Sequence, residues 1–257
     1  MLNILKSRFH QGYRTNCFPE QIPVVADRLR GRPVMDATKC PAGCAACASA
    51  CPVDAITLAS GKPVLDLGRC LFCPDCSDAC PTDALTFTTE HAMATRRRED
   101  LTVRDHEIYK LGCALEAKIL DIFQRSLRFR VVSAGGCNGC EVEVNVLTTL
   151  VWDLSRFGIN YVASPRHADG LIICGPVTTA MQLAVKKTYD AVPDPKIVVA
   201  LGACAISGGP YRGHVEQTDG AANSVPVDLY IPGCPPHPLT ILDGFLRLLD
   251  RVKPEKS

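Results

Sequence analysis

An eight-residue stretch occurs twice in this 257-residue chain, and each copy closes a run of four cysteines. Cys51-Pro52-Val53-Asp54-Ala55-Ile56-Thr57-Leu58 returns as Cys80-Pro81-Thr82-Asp83-Ala84-Leu85-Thr86-Phe87. A repeat this short constrains the fold, because neither copy can bury its apolar face alone and the two must build one small unit together. The runs are Cys40, Cys44, Cys47, Cys51 and Cys70, Cys73, Cys76, Cys80; the other seven of the 15 cysteines are Cys17, Cys113, Cys137, Cys140, Cys174, Cys204 and Cys234. An odd number cannot pair fully. The start, MLNILKSRFHQGYR, lacks the apolar core and cleavage site of a secretory signal, and no stretch approaches the ~18 apolar residues of a membrane span. The chain is expected to be soluble and intracellular, where disulfide frameworks are not sustained, so the cysteines point to metal ligation.

The second run, Cys70-x2-Cys73-x2-Cys76-x3-Cys80-Pro81, has bacterial ferredoxin spacing, in which three thiolates hold one cubane cluster and the fourth holds its neighbour. The first run, Cys40-x3-Cys44-x2-Cys47-x3-Cys51-Pro52, is longer by one residue between its first two cysteines, an insertion that Pro41 and Gly43 could absorb. Crosswise ligation assigns Cys40, Cys44, Cys47 and Cys80 to one [4Fe-4S] cluster and Cys51, Cys70, Cys73 and Cys76 to a second. Eight thiolates also satisfy two tetrahedral zinc sites. Zinc does not require the three-residue step into Cys-Pro, whereas crosswise ligation needs it twice, so the ferredoxin reading is preferred.

Charge follows the same division. Residues 1–39 carry seven Lys/Arg against three Asp/Glu, residues 40–90 two against six, residues 91–130 nine against six, and residues 131–257 ten against twelve. The whole chain has a formal net charge of +1, which gives no argument for nucleic acid, and Arg96, Arg97 and Arg98 have no aromatic platform beside them. These shifts predict an N-terminal arm over 1–32, a two-cluster module over 33–90, a helical connector over 91–127 and a second domain over 128–257.

In the second domain, strand-like runs at Phe129–Val132, Ile159–Ala163, Leu171–Cys174, Ile197–Leu201 and Leu229–Ile231 alternate with helical patterns. Val142, Val146, Leu147, Leu150, Val151 and Leu154 predict one helix, and Leu239, Leu242, Leu246 and Leu249 another. Alternation predicts a parallel sheet with cofactor loops at the carboxyl ends of its strands. Three such loops contain glycine and cysteine: GGCNGC at 135–140, GAC at 202–204 and PGCPP at 232–236. Cys137, Cys140, Cys204 and Cys234 could therefore converge on a third [4Fe-4S] cluster, with glycines baring N–H groups toward sulfur. GGCNGC lacks the dinucleotide spacing, and a lone redox C-x-x-C would leave Cys204 and Cys234 unexplained. The expected fold is an α+β bacterial-ferredoxin-like module followed by an α/β parallel-sheet, flavodoxin-like domain.

GGCNGCEVEV, SPRHAD, PDPK, LGAC with SGG, and VDLYIPGCPP, in that order, resemble the small subunit of energy-converting [NiFe]-hydrogenases, a family similar to the terminal-cluster subunit of complex I. The front half is similar to the two-cluster ferredoxin subunit of the same assemblies, so the chain looks like a fusion of the two. The resemblance implies an electron conduit to a [NiFe] centre in a separate large subunit, with membrane subunits and an upstream donor, a ferredoxin or a dehydrogenase subunit, as further partners. It also implies peripheral attachment at the cytoplasmic face of the membrane, and residues 1 to about 30 resemble the N-terminal arm of the ferredoxin-like subunits. The two residues between Cys137 and Cys140 favour hydrogenase over quinone reductase, since the complex I subunit has adjacent cysteines there. A nickel-free sulfur-reducing complex and a freestanding iron–sulfur sensor or scaffold stay open.

Cys174, on an apolar strand, reads as a buried thiol rather than a ligand. Glu141 is a proton-transfer candidate or a solvated first-turn carboxylate. Arg166 and His167 could line the large-subunit interface or tune the third cluster, and Asp169 could support their loop. No motif involves Cys17 or Cys113.

Overall fold

The computed structural model describes residues 2–105, 111–112, 121–123 and 126–252. Helix α1 (Leu2–Gln11) buries none of its residues. The front module contains β1 (Pro33–Met35), α2 (Ala46–Ala50), β2 (Ile56–Ala59), β3 (Lys62–Asp66), α3 (Asp75–Asp78), β4 (Leu85–Phe87) and β5 (Thr102–Val103). Strand β1 pairs antiparallel with β4, and β3 pairs antiparallel with both β2 and β5.

The repeat is visible in the backbone. Helix α2 ends one residue before Cys51 and α3 two residues before Cys80, and Pro52 and Pro81 just beyond forbid continuation. Asp54 and Asp83, three residues after each of those cysteines, adopt left-handed φ values of 49° and 50°, a conformation a short polar side chain tolerates. Each turn then aims an N–H at the cysteine that opened it: Ala55 donates to Cys51 Sγ and Ala84 to Cys80 Sγ, both at 3.2 Å.

The second domain is a five-stranded, all-parallel sheet of order β10-β9-β8-β6-β7, with β6 Leu127–Ser133, β7 Ile159–Tyr161, β8 Gly170–Cys174, β9 Ile197–Leu201 and β10 Leu229–Ile231. All residues of β8 and β9 are buried, as expected of central parallel strands covered on both faces, and this is why they read as unbroken apolar runs. The chain goes from β6 outward to β7 and returns on the far side of β6 as β8, so the topological switch lies at the carboxyl ends of β6 and β8. Helices α4 (Gly139–Val146), α5 (Thr179–Ala191), α6 (Gly202–Ser207) and α7 (Pro238–Leu248) follow β6, β8, β9 and β10. Helix α7 is buried almost all round, which marks a helix enclosed by protein. One face stacks Phe245 on Phe129, with centroids 5.2 Å apart; elsewhere Gly244 leaves so little room that a Cβ there would lie 2.9 Å from the Ala94 methyl.

Three expectations change. The helix predicted from Val142 through Leu154 stops at Val146, and Leu150 and Val151 are exposed; Thr148 and Thr149 turn their hydroxyls back to the carbonyls of Asn145 and Val146, an alternative to helical pairing. The described beginning of the 91–127 connector holds only a single 3₁₀ turn, Arg98–Leu101, before β5 joins the sheet of the front module, and Arg98 binds both oxygens of Asp66 at 2.8 and 2.7 Å. Cys113 lies outside the described residues. The 1–32 arm is not uniform either, since residues beyond α1 bond to both halves of the molecule.

The two halves share one core. Leu65, Leu67 and Leu101 of the front module cluster with Ala205, Ile206 and Tyr230 of the second domain. Ser207 Oγ donates to Gly68 O at 2.8 Å, and Thr95 and Tyr230 exchange backbone bonds at 3.0 and 2.8 Å.

Candidate metal centres

Neighbouring thiols raise one another in three groups, and those of the first, Cys40, Cys44, Cys47 and Cys80, line a single cavity. Burial, then the Cys44 and Cys80 thiols, push the Cys40 thiol up; burial and the same neighbours with Cys40 push up Cys47. Burial drives Cys70 to about 12 and Cys76 to about 11, with Cys51 and Cys73 contributing to both. In the second domain burial drives Cys204 to about 12, helped by Cys234 and Cys137, and Cys140 is raised by burial, Cys204, Cys234 and Cys137. The three groups are candidate ligand sets, and the Cys76 thiol is raised by Cys47 of the first group as well as by its own neighbours. Among the described residues no three His, Cys, Asp or Glu side chains converge on a single-ion position.

Thiols crowded in this way are costly to ionise unless cationic iron compensates the charge, which is the chemistry a cluster offers. Backbone donors already face several of them. Phe72 N–H donates to Cys70 Sγ at 3.3 Å. Burial raises Cys80, but the N–H groups of Thr82, Leu85 and Ala84 outweigh it and hold this thiol below its ordinary value. Glycine makes room at the third group: Gly202, at φ +85°, would place a Cβ 2.5 Å from Cys140 Sγ, and Gly209, at φ +56°, one 2.7 Å from Cys204 Sγ. The donor set and its cradles fit iron–sulfur clusters.

Cys204 differs from expectation in one respect, since it stands in the first turn of α6, which starts directly at the end of β9, rather than in a loop. A left-handed Gly202 lets the strand turn into the helix without a loop, a possibility that the GAC triplet contained. We expect Gly202→Ala to displace the Cys140 thiol and reduce iron in the second domain while the front module keeps its own, measurable by anaerobic iron and sulfide analysis.

The remaining candidates separate clearly. Cys174 is fully buried at the end of β8, beside Cys140. Cys17 is exposed. Glu141 lies near the third group, where it raises the Cys140 and Cys204 thiols, and its Oε1 is buried without a hydrogen-bond partner. Tyr161, which no sequence signal marked, also has a buried hydroxyl without a partner, lies beside Cys174 and lines the same open hollow as Glu141. Arg166 and His167 lie away from the third group: they precede β8, level with Arg128 and Phe129, whereas the cysteine loops follow the opposite ends of the strands. A five-residue strand separates the two edges by about 16 Å. Asp169 does support that loop, accepting the Arg128 N–H at 2.8 Å.

Cys137 and Cys234 are exposed while Cys140 and Cys204 are half-buried, so the third group opens to one side. It also approaches the second: Gly233 and Pro235, which flank Cys234, line one cavity with Phe72, the neighbour of Cys73.

Residues 39–84 match the 4Fe-4S dicluster domain, and residues 137–248 match the family described as NADH ubiquinone oxidoreductase, 20 Kd subunit. The chain is 43% identical over 136 residues to formate hydrogenlyase subunit 7 of Escherichia coli, covering 53% of each chain. It is 42% identical to the "probable membrane-bound hydrogenase subunit mbhJ" of Pyrococcus furiosus, over 47% of this chain and 72% of that one. It is 44% identical to an NADH-quinone oxidoreductase subunit of Bacteroides thetaiotaomicron, over 46% of this chain and 60% of that one. The chain thus spans about half the length of the first of these relatives. A ferredoxin-like region followed by a flavodoxin-like parallel sheet is the architecture these matches and the strand order give. Its similarity to these relatives, with the matched region in the second domain, shows that the chain belongs to the NADH ubiquinone oxidoreductase 20 kDa subunit family, within the complex I superfamily, and bears a 4Fe-4S dicluster domain ahead of the family's own.

Proposed function

We propose that this chain is the iron–sulfur electron-transfer subunit of a membrane-bound hydrogenase, relaying electrons to or from a [NiFe] site in a separate large subunit. The ligands are Cys40, Cys44, Cys47 and Cys80 for the first [4Fe-4S] cluster, Cys51, Cys70, Cys73 and Cys76 for the second, and Cys137, Cys140, Cys204 and Cys234 for the third. When bound, each cluster supplies a one-electron carrier whose potential depends on burial and hydrogen bonds to sulfur. The supporting observation is that the Cys73 and Cys234 turns meet across the boundary between the two halves, where Phe72, Gly233 and Pro235 line one cavity. In this reading the second group exchanges electrons with the third, and the first group is the entry for a ferredoxin or dehydrogenase donor.

The large subunit covers the open side at Cys137 and Cys234, and Glu141, with its unpartnered buried oxygen, is the proton-transfer candidate at that side. Attachment is peripheral, at the cytoplasmic face, through membrane subunits. Among the described residues no helix is long and apolar enough to cross a membrane. Leu2, Ile4, Leu5 and Phe9 of α1 are exposed beside Lys6, Arg8 and His10, a pattern suited to an interfacial helix. Deleting residues 1–12 is expected to weaken co-purification with membranes; unchanged recovery would remove this role from α1.

Purification of the native complex under anaerobic conditions tests the reading. We expect roughly 12 iron and 12 sulfide per chain at four of each per cluster, nickel in the partner, and hydrogen evolution from a low-potential donor. About 8 iron and 8 sulfide, by the same count, would remove the third cluster. Stoichiometric zinc would overturn the ligand chemistry. Quinone or sulfur reduction without nickel would transfer the chain to a related complex, as its near-equal identity to the quinone oxidoreductase subunit allows. A chain that purifies alone with labile iron would instead be a sensor or scaffold.

A further inference from the structure

Residues 15–32 lie outside both matched regions, yet they bond to each half of the molecule. At one end Asn16 N donates to Val151 O at 2.9 Å and Thr15 Oγ1 to Leu150 O at 2.8 Å. The Arg156 guanidinium of the second domain grips the same place, donating to Asn16 O at 2.6 Å, Asn16 Oδ1 at 3.1 Å and Phe18 O at 2.8 Å. Phe18 then enters the core, 3% exposed, with its ring edge-on to His91. At the other end Gly31 N donates to Thr88 O at 2.7 Å and Arg32 N to Glu90 O at 2.8 Å. A Cβ on Gly31 would fall 2.1 Å from Glu90 O, so only glycine permits this approach.

Between these anchors the segment reaches the cysteine turns. The exposed Arg30 donates through Nε to the carbonyl of Phe72 at 2.5 Å. Phe72 sits between Cys70 and Cys73 in a left-handed turn with φ +55°. Leu29, Arg30 and Gly31 line a cavity of about 50 Å³ together with Phe72, Gly233 and Pro235. The last two flank Cys234. Three segments therefore enclose the place where the Cys73 and Cys234 turns face each other.

We infer that residues 15–32 are a clamp that closes the crevice between the Cys73 and Cys234 turns and fixes the gap an electron crosses, with Arg30 and Arg156 as its positioning residues. The inference rests on the reading that these turns carry the second and third clusters. The shared core of Leu65, Leu67, Leu101, Ala205 and Ile206 already joins the two halves; the clamp adds a second tie at the cysteine turns themselves, where electron tunnelling weakens steeply with distance. Hydrogen bonds from guanidinium groups are of the stronger, charge-assisted kind. By shutting water out beside the Cys73 turn, the clamp also acts on solvent exposure, one of the determinants of cluster potential.

EPR of the redox-poised intact complex tests this with Arg30→Ala, Arg156→Ala and Arg30→Lys. In the native complex the reduced second and third clusters are expected to split each other's signals. Both alanine variants should keep three cluster signals at full intensity, lose or narrow that splitting, and shift the midpoint potential of the second cluster. Arg30→Lys, which retains a cationic donor on a long stem, should restore the splitting. Unchanged splitting and potential in both alanine variants overturn the inference. Loss of the second cluster itself in Arg30→Ala would make that residue part of cluster assembly and overturn its positioning role. A native complex without a third-cluster signal overturns the electron-transfer reading, and the clamp's role with it.

Discussion

Cys204→Ser is expected to remove or retune the third cluster, leave the two ferredoxin clusters reducible, and collapse hydrogen turnover driven by an external donor. The reason is local. Cys204 is the one thiol that α6 supplies to the third group, and it acts directly on Cys140. The eight front-module thiols act on one another and are held by other turns. Cys174→Ala should do far less, since that thiol is enclosed in the core at the end of β8 and a smaller side chain removes only packing there. Anaerobic EPR of both variants, with hydrogen assays at matched large-subunit and nickel content, gives the answer. If the Cys204 variant keeps three native signals and full activity while Cys174→Ala loses one, the ligand set must be redrawn around Cys174, which lies beside Cys140.

Phe245→Ala is expected to be the most destabilising single truncation of the second domain, by about 3–5 kcal/mol. Phe245 is fully buried, its ring stacks on the equally buried Phe129 of β6, and the enclosing helix α7 leaves little freedom to collapse around a void. A loss of that size lowers the thermal midpoint by roughly 10 °C for a chain of this length. Circular dichroism melting of cluster-loaded protein against the native chain measures it. A fall of under ~2 °C, less than 1 kcal/mol by the same conversion, would show that α7 repacks freely.

Much of the site could be read from the chain because cluster ligation is local. Cys70, Cys73 and Cys76 must share one tight turn whatever surrounds them, and the repeated Cys-Pro step announces the exchange of a ligand between two such turns. The central strands were legible for a similar reason: β8 and β9 are apolar at every position because both faces are covered, and their bounds follow from composition. Apolar spacing was a poorer guide where side chains compete with helical pairing, as Thr148 and Thr149 do, and Leu150 and Val151 consequently lie on the surface.

By itself the sequence determined the spacing of the cysteines within each turn, the repeat that closes each run in Cys-Pro, and the alternation that makes a parallel sheet. Each depends on interactions among neighbours in the chain, and residue type at fixed spacing encodes those. The tertiary structure alone decided how the halves meet: Ser207 against Gly68, 139 residues away, Arg156 on Asn16, 140 residues away, and the turn before Cys73 across one cavity from the turn around Cys234. It also placed Arg166 and His167 at the sheet edge opposite the third group, and set the orphaned Tyr161 hydroxyl beside Cys174. Such contacts arise from packing between surfaces distant in sequence, whose shape no local pattern of residues records.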